Sequence, residues 1–582
     1  MRILGPRASP RKVRPGRGRM PPSMGTFRLG RLAAPALYAA LLAASPGPPA
    51  AAQDAPPKDG GGLEDEAPPK PLTPEEEKAA AKLFAEAKAL ARKGWQYGLA
   101  ASEKYEEFLE KYPGADPEMI READDRSGPN CLIGIELQHE GGPPERRIDV
   151  ELMGDGYTRD LFKKFKGHAL DQMKAFWADP LFGEYADYFN IWRFDLISAE
   201  GGVDEMTPEE RGAPPPPEPK PGKKKKKQRG PKKYSTALNC SAAGGGGQVC
   251  ADREQVMRWR RYLECSDGLT IAFANKGSLG MGGGGIATTG RLVAVVHEFG
   301  HAWADLLDEY QGNPDRPTHR IVAPNAISTD NSDPREPPPL DEIPWKHWML
   351  AKPRPKDVDV LLGGATFSTG VFRPAPSCAM NSAGSAFLCT VCREQGVLRI
   401  YSYVSPVDEA GPIQERVDVL QGEAREFFVQ PMAPKSHQIK VDWTLQVIGT
   451  SPDQAPPVEP PSEGSYVDER AGALWQREGA RAELRRANPL PEGNPKGAPL
   501  KATLKKVKDG AFRSSVTLDN KHPGVYRLTA RVFDDTKIGG GPHPWVLKDP
   551  HRLREEWKTW TVVVAAPAAA APPAPPSPGG GK

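Results

Sequence analysis

The chain lacks an excess of charge of either sign, and it lacks a long uninterrupted apolar segment. Across 582 residues, 78 Lys and Arg stand against 75 Asp and Glu, so binding to nucleic acid or to an anionic membrane is not indicated. The apolar run at residues 32–44 has 13 residues, whereas a helix that spans a bilayer needs about 20. We therefore expect no nucleic-acid partner and no transmembrane anchor.

Proline and glycine are abundant, with 64 and 60 residues, which implies long stretches that bury no core. Residues 53–72 have the composition of a linker. Residues 212–233 hold four consecutive prolines and five consecutive lysines, which predicts a solvated, disordered insertion. Residues 566–582 are predicted to be a disordered Ala/Pro tail. The remaining length suffices for several domains.

The N-terminal 52 residues resemble an export signal. Arg28 and Arg31 precede the apolar run, and Ala50–Ala52 can provide a cleavage site before Gln53, which is the three-part pattern of a secretory leader. We therefore expect a protein that is secreted, periplasmic or held at the cell surface. Export would place its seven cysteines in an oxidising compartment, where disulfides can persist.

Residues 73–127 are predicted to form a helical hairpin of the tetratricopeptide type. Thr73, Pro74 and Glu76 provide an N-cap, a proline at the first helical position and a capping-box glutamate. Two helices are expected, one ending near residue 92 and one running over residues 96–111. A single hairpin cannot bury both of its faces, so we expect it to pack on another part of the chain or to act as a spacer.

A mixed unit follows over residues 128–410, and strands dominate residues 411–565. In the first segment, strands are predicted near 147–153, 189–197 and 269–274, with a helix that Thr158 caps and a later helix over about 390–404. A glycine-rich loop at 276–285 suits close approach of another backbone, such as that of a peptide substrate. In the second segment, alternating apolar stretches predict an Ig-like β-sandwich, with Trp443 at a core position in mid-strand. The expected fold class is multidomain α+β.

The chemistry centres on His297, Glu298 and His301 in the sequence His-Glu-Phe-Gly-His. The motif is predicted to lie on a helix over about residues 289–308. Histidines four residues apart lie on one face of a helix and can bind one Zn²⁺. Zinc lowers the pKa of bound water to about 7, and Glu298 can act as the general base. A helix that carries this three-residue pattern by chance is the alternative.

A catalytic zinc usually has three protein ligands, so the sequence must supply one more. Asp308 is the first candidate and Glu309 the alternative, while Asp305 is a weaker one. On a straight helix Asp308 would lie roughly 10 Å beyond His301, which a short side chain cannot span. Either the chain bends back after His301, or the third ligand lies elsewhere; both carboxylates can also be a polar helix end or hydrogen-bond a histidine.

The longer motif over residues 297–310, HEFGHAWADLLDEY, resembles the signature of the bacterial IgA-peptidase-type metallopeptidases, family M64. Residues 148–158, 188–204 and 370–394 carry further matching motifs. The resemblance implies a zincin fold, a zinc-dependent endopeptidase, and a position for Met380 beneath the metal site. The insertion at 212–233 and the presence of Asp305, where many relatives have a small residue, depart from the family pattern.

The cysteines allow two interpretations. Cys240 and Cys250 bracket a glycine-rich loop and are candidates for a local disulfide. The spacing of Cys378, Cys389 and Cys392 suits a structural zinc site, but only three ligands are evident and the compartment is expected to be oxidising. We therefore expect one disulfide within this trio. With seven cysteines at least one stays unpaired or pairs between chains, and Cys131 and Cys265 are the candidates.

Two functions are compatible with these patterns. The first is a secreted zinc endopeptidase that acts on a protein or peptide, with Tyr310 as a candidate donor to the oxyanion. The second is a non-catalytic adhesion protein that uses a zincin scaffold, with its β-sandwich contacting a cell surface, carbohydrate or protein. The intact Glu298 argues against the second, since a scaffold needs no base beside a metal.

Overall fold

The structure is a computed structural model that describes residues 70–93, 97–206, 230–242, 248–277, 280–382, 384, 387–456, 480–507 and 511–567. The predicted leader, most of the linker, most of the insertion at 212–233 and nearly all of the tail lie outside these residues. No helix within the described ranges is long and apolar enough to cross a membrane.

The described chain is a mixture of helices and strands. The helices are α1 (Pro74–Ala91), α2 (Gly98–Lys111), α3 (Pro117–Ser127), α4 (Phe162–Ala178), α5 (Pro180–Glu184), α6 (Arg253–Arg260), α7 (Val295–Ala304), α8 (Lys346–Met349), α9 (Thr390–Tyr403) and α10 (Ala480–Ala487). The strands up to the metal-binding motif are β1 (Cys131–His139), β2 (Ile148–Asp155), β3 (Phe189–Ile197), β4 (Asp204–Glu205), β5 (Ser241–Ala242), β6 (Val249–Cys250), β7 (Leu269–Ala274), β8 (Met281–Gly283) and β9 (Ile286–Thr289). The later strands are β10 (Gln311–Asn313), β11 (Val322–Ala323), β12 (Ala326–Ser328), β13 (Leu361–Gly364), β14 (Thr366–Arg373), β15 (Val407–Gly411), β16 (Arg416–Leu420), β17 (Arg425–Pro431), β18 (Lys440–Gly449), β19 (Ala498–Leu500), β20 (Thr503–Lys506), β21 (Phe512–Leu518), β22 (Gly524–Phe533) and β23 (Glu555–Ala565).

The N-terminal helices form a three-helix unit rather than the expected pair. The capping box at Thr73 starts α1, but α3 was not predicted and adds Ala123 to a core that contains Tyr105 and Phe108. This unit also contacts the following domain, because Arg258 of α6 forms an ion pair with the buried carboxylate of Asp125. The hairpin is therefore covered in part by α3 and contacts α6, which is the packing alternative of the two that the sequence left open.

A six-stranded sheet in the order β1-β3-β2-β7-β9-β8 organises the domain that carries the metal-binding motif. Its four inner strands β3, β2, β7 and β9 are parallel, and the two outer strands are antiparallel to their neighbours. Residues of α4 and α7 share a core with one face, whereas α6 and residues from 237–242 and 249–251 cover the other. Burial on both faces explains why β2 is buried at every position.

Strand β8 lies at the edge of this sheet, directly beside α7. Gly282 of β8 approaches so closely that an added Cβ would lie 2.0 Å from the carbonyl oxygen of Glu298. The glycine-rich loop was expected to admit another backbone, and the backbone that it admits is that of the helix itself. The sheet edge is thereby fixed against the metal-binding motif.

Two further sheets make up the C-terminal part, in the orders β15-β17-β21-β20 and β16-β23-β22-β18-β19. They share a core, in which the ring of Trp443 stacks on that of Trp560 at 5.8 Å and Phe427 lies 5.6 Å from Trp560. The indole nitrogen of Trp443 donates to Ser514 of the opposite sheet at 3.0 Å. The expected core position of Trp443 is confirmed, since it is 2% exposed.

The two-sheet unit contacts the domain of the six-stranded sheet, called the metal-site domain below, through the side chain of His437. Its two ring nitrogens lie 2.7 Å from Glu184 and 2.8 Å from Asp534. The other carboxylate oxygen of Asp534 accepts hydrogen bonds from the hydroxyls of Tyr185 and Tyr401, each at 2.8 Å. A buried polar network therefore joins the two parts of the chain.

Candidate metal centre

Helix α7 brings the two predicted histidines together. His297 and His301 are one turn apart, each is 7% exposed, and their Nε2 atoms lie 3.2 Å from each other. The helix covers Val295–Ala304, which is shorter at both ends than the predicted span of about 289–308. It is preceded by a 3-10 turn at Leu292–Ala294, and a left-handed residue ends it.

That left-handed residue is Asp305, with φ of 53°. Asp is one of the few side chains that tolerate this conformation, and it turns the chain back toward the helix. The Asp308 carboxylate then lies 3.1 Å from Nε2 of His297 and 3.1 Å from Nε2 of His301. The bend that helix geometry requires is present, whereas the carboxylate of Asp305 faces Arg399 at 3.6 Å.

The remaining ring nitrogens of both histidines are held by backbone carbonyls. Nδ1 of His297 is 2.9 Å from the oxygen of Ala379, and Nδ1 of His301 is 2.6 Å from the oxygen of Leu306. Because a carbonyl only accepts, each Nδ1 donates, which leaves each Nε2 as the atom able to bind a metal.

Electrostatics at this site favour an anionic Asp308. Burial alone would raise its pKa, but His301 and His297 outweigh burial and hold the pKa below the usual range. Burial acts in the opposite direction on His301, whose pKa is nevertheless raised because Asp308 lies beside it. The site is thus an anionic carboxylate between two imidazoles, which is a donor set that suits a divalent cation.

Glu298 lies next to this group and is 5% exposed. Burial raises its pKa to about 7, although His297 partly opposes the increase. Gly280 makes room for the side chain, since a Cβ there would lie 2.6 Å from Cγ of Glu298. A carboxylate with a pKa near neutrality can exchange a proton during a reaction.

The glycine between the two histidines has a packing reason. A Cβ on Gly300 would lie 2.8 Å from the sulfur of Met380, so Met380 contacts the metal helix where the resemblance places it. The backbone around Met380 also positions the site. The Met380 carbonyl accepts a hydrogen bond from the Glu309 amide at 2.8 Å, and the Ala379 carbonyl accepts one from His297.

Tyr310 lies beside the two histidines. Its ring is stacked on that of His297, with the ring centroids 6.3 Å apart.

Glu309 does not join the histidines. Its carboxylate faces a separate buried group, with Oε1 lying 3.1 Å from the sulfur of Cys392 and 3.9 Å from that of Cys389. Two candidate metal-binding groups therefore stand side by side, one containing His297, Glu298 and His301 and one containing Glu309 with Cys378, Cys389 and Cys392. Asp308 belongs with the first on distance, since its oxygen is 3.1 Å from both imidazoles.

The expected disulfides are not supported. All seven cysteines, which lie within the described residues, are free thiols, including the pair Cys240 and Cys250 and the trio of Cys378, Cys389 and Cys392. The trio was expected to contain one disulfide because no fourth ligand was evident. A fourth candidate ligand atom lies on Glu309, which was expected only as an alternative ligand at the histidine site.

Asn325 is a site residue that the sequence did not reveal. It is fully buried and clamps the segment after α7, since its side chain accepts from the amide of Leu307 at 2.9 Å and donates to the carbonyl of Leu307 at 2.8 Å. It also donates to Glu309 at 3.1 Å. Nothing in its local sequence marks this role, because the partners lie 16 and 18 residues away.

The site is a candidate metal centre of the HExxH class. One short helix carries its two histidines and the buried Glu298, and the Asp308 carboxylate comes from the segment after that helix. The family model of IgA Peptidase M64 matches residues 135–212, which cover β1 to β4 and end before the histidine motif. The match confirms the resemblance to family M64 and supports a peptidase, which acts on a protein substrate. No curated protein matches the chain.

Proposed function

We propose that the protein is a zinc-dependent endopeptidase. The observation that carries the proposal is the near-equilateral triangle of ligand atoms, in which Nε2 of His297, Nε2 of His301 and an oxygen of Asp308 are separated by 3.1, 3.1 and 3.2 Å. Tetrahedral zinc with bonds of about 2.0–2.1 Å requires ligand atoms about 3.3 Å apart. The separations of the three donors fit that ion, which His297, His301 and Asp308 would hold.

A zinc ion held by these residues would supply Lewis acidity to polarise a carbonyl and to lower the pKa of water to about 7. Glu298 accepts the proton of the attacking water and then donates it to the nitrogen of the leaving amine. Its buried position supports both roles, since its pKa of about 7 lets it hold and release a proton near neutral pH. Tyr310, beside His297, is the candidate donor to the developing oxyanion.

Edge strand β8 supports a peptide as the substrate. It ends the six-stranded sheet, and its Gly282 lies against Glu298 and His301. An extended peptide that pairs with a sheet edge gains main-chain hydrogen bonds. A peptide paired with β8 would run past Glu298, which suits cleavage within a chain rather than at its end.

The proposal includes a zincin-like layout for the metal-site domain and an Ig-like sandwich for residues 411–565. The mainly parallel sheet with its edge strand beside the HExxH helix supports the first. Two facing sheets, antiparallel except for the parallel pair β16 and β23, support the second. Export to the cell exterior rests on the N-terminal sequence pattern alone. A cell-surface or carbohydrate contact through the sandwich stays a prediction without support from the described residues.

The alternative, a non-catalytic scaffold, is disfavoured by the burial of Glu298. A carboxylate that is 5% exposed carries a desolvation cost, and Gly280 and Gly282 are needed to accommodate the helix segment that bears it. A scaffold gains nothing from that arrangement, whereas a general base beside a metal depends on it.

Cleavage of unfolded casein by the full chain tests the proposal. We expect cleavage that stops when zinc is removed with a chelator and returns when zinc is added. Glu298→Gln should retain bound zinc but lose about 10²–10⁴-fold in rate, the usual contribution of a general base. The exposed residue Glu254 provides the matched control, since Glu254→Gln should cleave at the wild-type rate.

Two results would contradict the proposal in different ways. Wild-type cleavage by Glu298→Gln would remove Glu298 from its role as base. A wild-type protein that keeps its full activity after complete removal of zinc would show that the reaction does not use this ion.

A further inference from the structure

The described part of the chain contains a second buried group of metal-ligand type, which the proposed peptidase reaction does not use. Cys378, Cys389, Cys392 and Glu309 each offer one ligand atom, and all four atoms lie within 4.8 Å of one another. The four residues are buried, with exposures between 0% and 5%. They come from three segments: the turn after α7, the loop before Met380, and the start of α9.

The hydrogen-bonding capacity of the Glu309 carboxylate is only half satisfied in this position. It is fully buried, one oxygen accepts from Asn325 at 3.1 Å and lies 3.1 Å from the sulfur of Cys392, and the other oxygen has no hydrogen-bond partner. A buried carboxylate surrounded by thiols is costly unless a cation compensates it. Ordinary core packing therefore does not explain why Glu309 points into this group.

The cysteines are likewise not explained as a disulfide framework. All three are free thiols, although they are close to one another and the amide of Cys389 donates to the sulfur of Cys378 at 3.3 Å. Cys389 immediately precedes α9, where the positive end of the helix favours a thiolate. Arg373 interacts electrostatically with Glu309, and Arg393 interacts in the same way with Cys389. These two guanidinium groups would partly balance the negative charge of the thiolates and the carboxylate.

We propose that Glu309, Cys378, Cys389 and Cys392 bind a second zinc ion, which is structural. Tetrahedral zinc with bonds of about 2.3 Å to sulfur and 2.0–2.2 Å to oxygen places its ligand atoms roughly 3.4–3.8 Å apart. The sulfur–oxygen distances of 3.1 and 3.9 Å bracket that value. Four protein ligands leave no open position, which distinguishes a structural site from a catalytic one.

An ion at the cysteine site would stabilise the geometry of the candidate site formed by His297, His301 and Asp308. Glu309 follows Asp308 directly, and Cys378 precedes Ala379 and Met380, which contact His297 and Gly300. Binding at the cysteine site would fix both the turn that carries Asp308 and the loop beneath the helix. Deprotonation of the three thiols accompanies binding, so zinc uptake releases protons.

Elemental analysis of the purified full chain tests the proposal. We expect about two zinc ions per chain in the wild type, about one in Cys392→Ser, and about one in His301→Ala, because each variant removes a ligand from one site only. Cys265, a half-buried cysteine outside the group, provides the matched control. Cys265→Ser should retain about two.

Cobalt substitution avoids the risk that Cys392→Ser fails to fold. Wild-type protein refilled with Co²⁺ should show a strong thiolate-to-metal charge-transfer band in the near ultraviolet, since three sulfurs bind the ion. His301→Ala should keep this band, because the histidine site contains no sulfur. Absence of the band from fully loaded wild-type protein would overturn the proposal.

Three other results would overturn it as well. These are a single zinc in the wild type that disappears in His301→Ala, iron in place of zinc at the cysteines, and an intact mass of the non-reduced protein about 2 Da lower that shows a disulfide within the trio. These results differ from the result expected if the proposed peptidase function is wrong and the structural zinc site is right. A single zinc that disappears in Cys392→Ser but persists in His301→Ala would support the structural site and remove zinc from the histidine site.

Discussion

Asp308 and Glu309 are adjacent in sequence, but their carboxylates face different groups. An oxygen of Asp308 lies 3.1 Å from Nε2 of both His297 and His301, whereas an oxygen of Glu309 lies 3.1 Å from the sulfur of Cys392. The short turn after α7 therefore contributes one carboxylate to the histidine group and one to the cysteine group. A change in the backbone of this turn should alter both groups.

The first prediction concerns the third ligand. Asp308→Ala should lower zinc affinity at the histidine site by more than about 100-fold, since even changes outside the ligand set commonly cost 10- to 100-fold. Competition with a chromophoric chelator measures the affinity. Asp341→Ala, an exposed carboxylate in the same domain, should leave it unchanged, and wild-type affinity in Asp308→Ala would place the third ligand elsewhere.

The second prediction concerns the left-handed residue that turns the chain after α7. Asp305→Val should destabilise the protein by about 1–3 kcal/mol, because a β-branched residue is strained at a φ of 53°, and zinc affinity should fall with it. Asp305→Gly is the matched control, since it removes the same contact with Arg399 but adopts this conformation readily. Urea unfolding and the chelator titration measure both effects; equal behaviour of the two variants would exclude backbone strain as the cause.

Elements with local signals could be predicted from the sequence at close to their observed bounds. Strands β3 and β7 were expected at 189–197 and 269–274 and are found there, because an apolar run between turn residues identifies a buried strand. Helix α9 starts at Thr390 as expected and ends one residue early. Helix α3 had an equally local signal, an Asp116 N-cap followed by Pro117, which the sequence analysis overlooked.

The features that were missed depend on contacts between distant segments. The predicted metal helix was too long because nothing local shows that Asp305 adopts a left-handed conformation. The disulfide expectation was not supported, and the carboxylate that faces the cysteines belongs to Glu309, 69 residues before Cys378. Spacing along a chain identifies ligands on one helix, but it does not show which side of a turn each carboxylate faces.

The third prediction uses two neighbouring glycines of β8. Gly282→Ala should abolish most activity and lower stability, because its Cβ would lie 2.0 Å from the backbone oxygen of Glu298 and 2.9 Å from Cβ of His301, and neither can move without shifting the helix. Gly283→Ala is the control, since nothing lies within 4 Å of its Cβ. Casein cleavage and thermal unfolding distinguish them, and an active, stable Gly282→Ala would show that β8 does not fix the helix.

The fourth prediction concerns His437, which joins the C-terminal sheets to the metal-site domain. Its side chain is 6% exposed between Glu184 and Asp534. Burial opposes the charged form, but the two carboxylates raise the pKa from 6.5 to about 9. Because the folded state holds this proton more tightly, the stabilisation is complete below pH 6.5 and is lost as pH rises through about 9.

The size of this effect should be on the order of 2–3 kcal/mol, since each unit of pKa shift corresponds to about 1.4 kcal/mol and residual solvent screening reduces it. Urea unfolding of the full chain at a series of pH values measures it. His437→Gln retains a hydrogen-bonding side chain but does not titrate, so it should be less stable than wild type at pH 6 and approach wild type as pH rises toward 9. If the difference between the two proteins stays constant across this range, His437 does not carry the extra proton, and the junction depends on neutral hydrogen bonds alone.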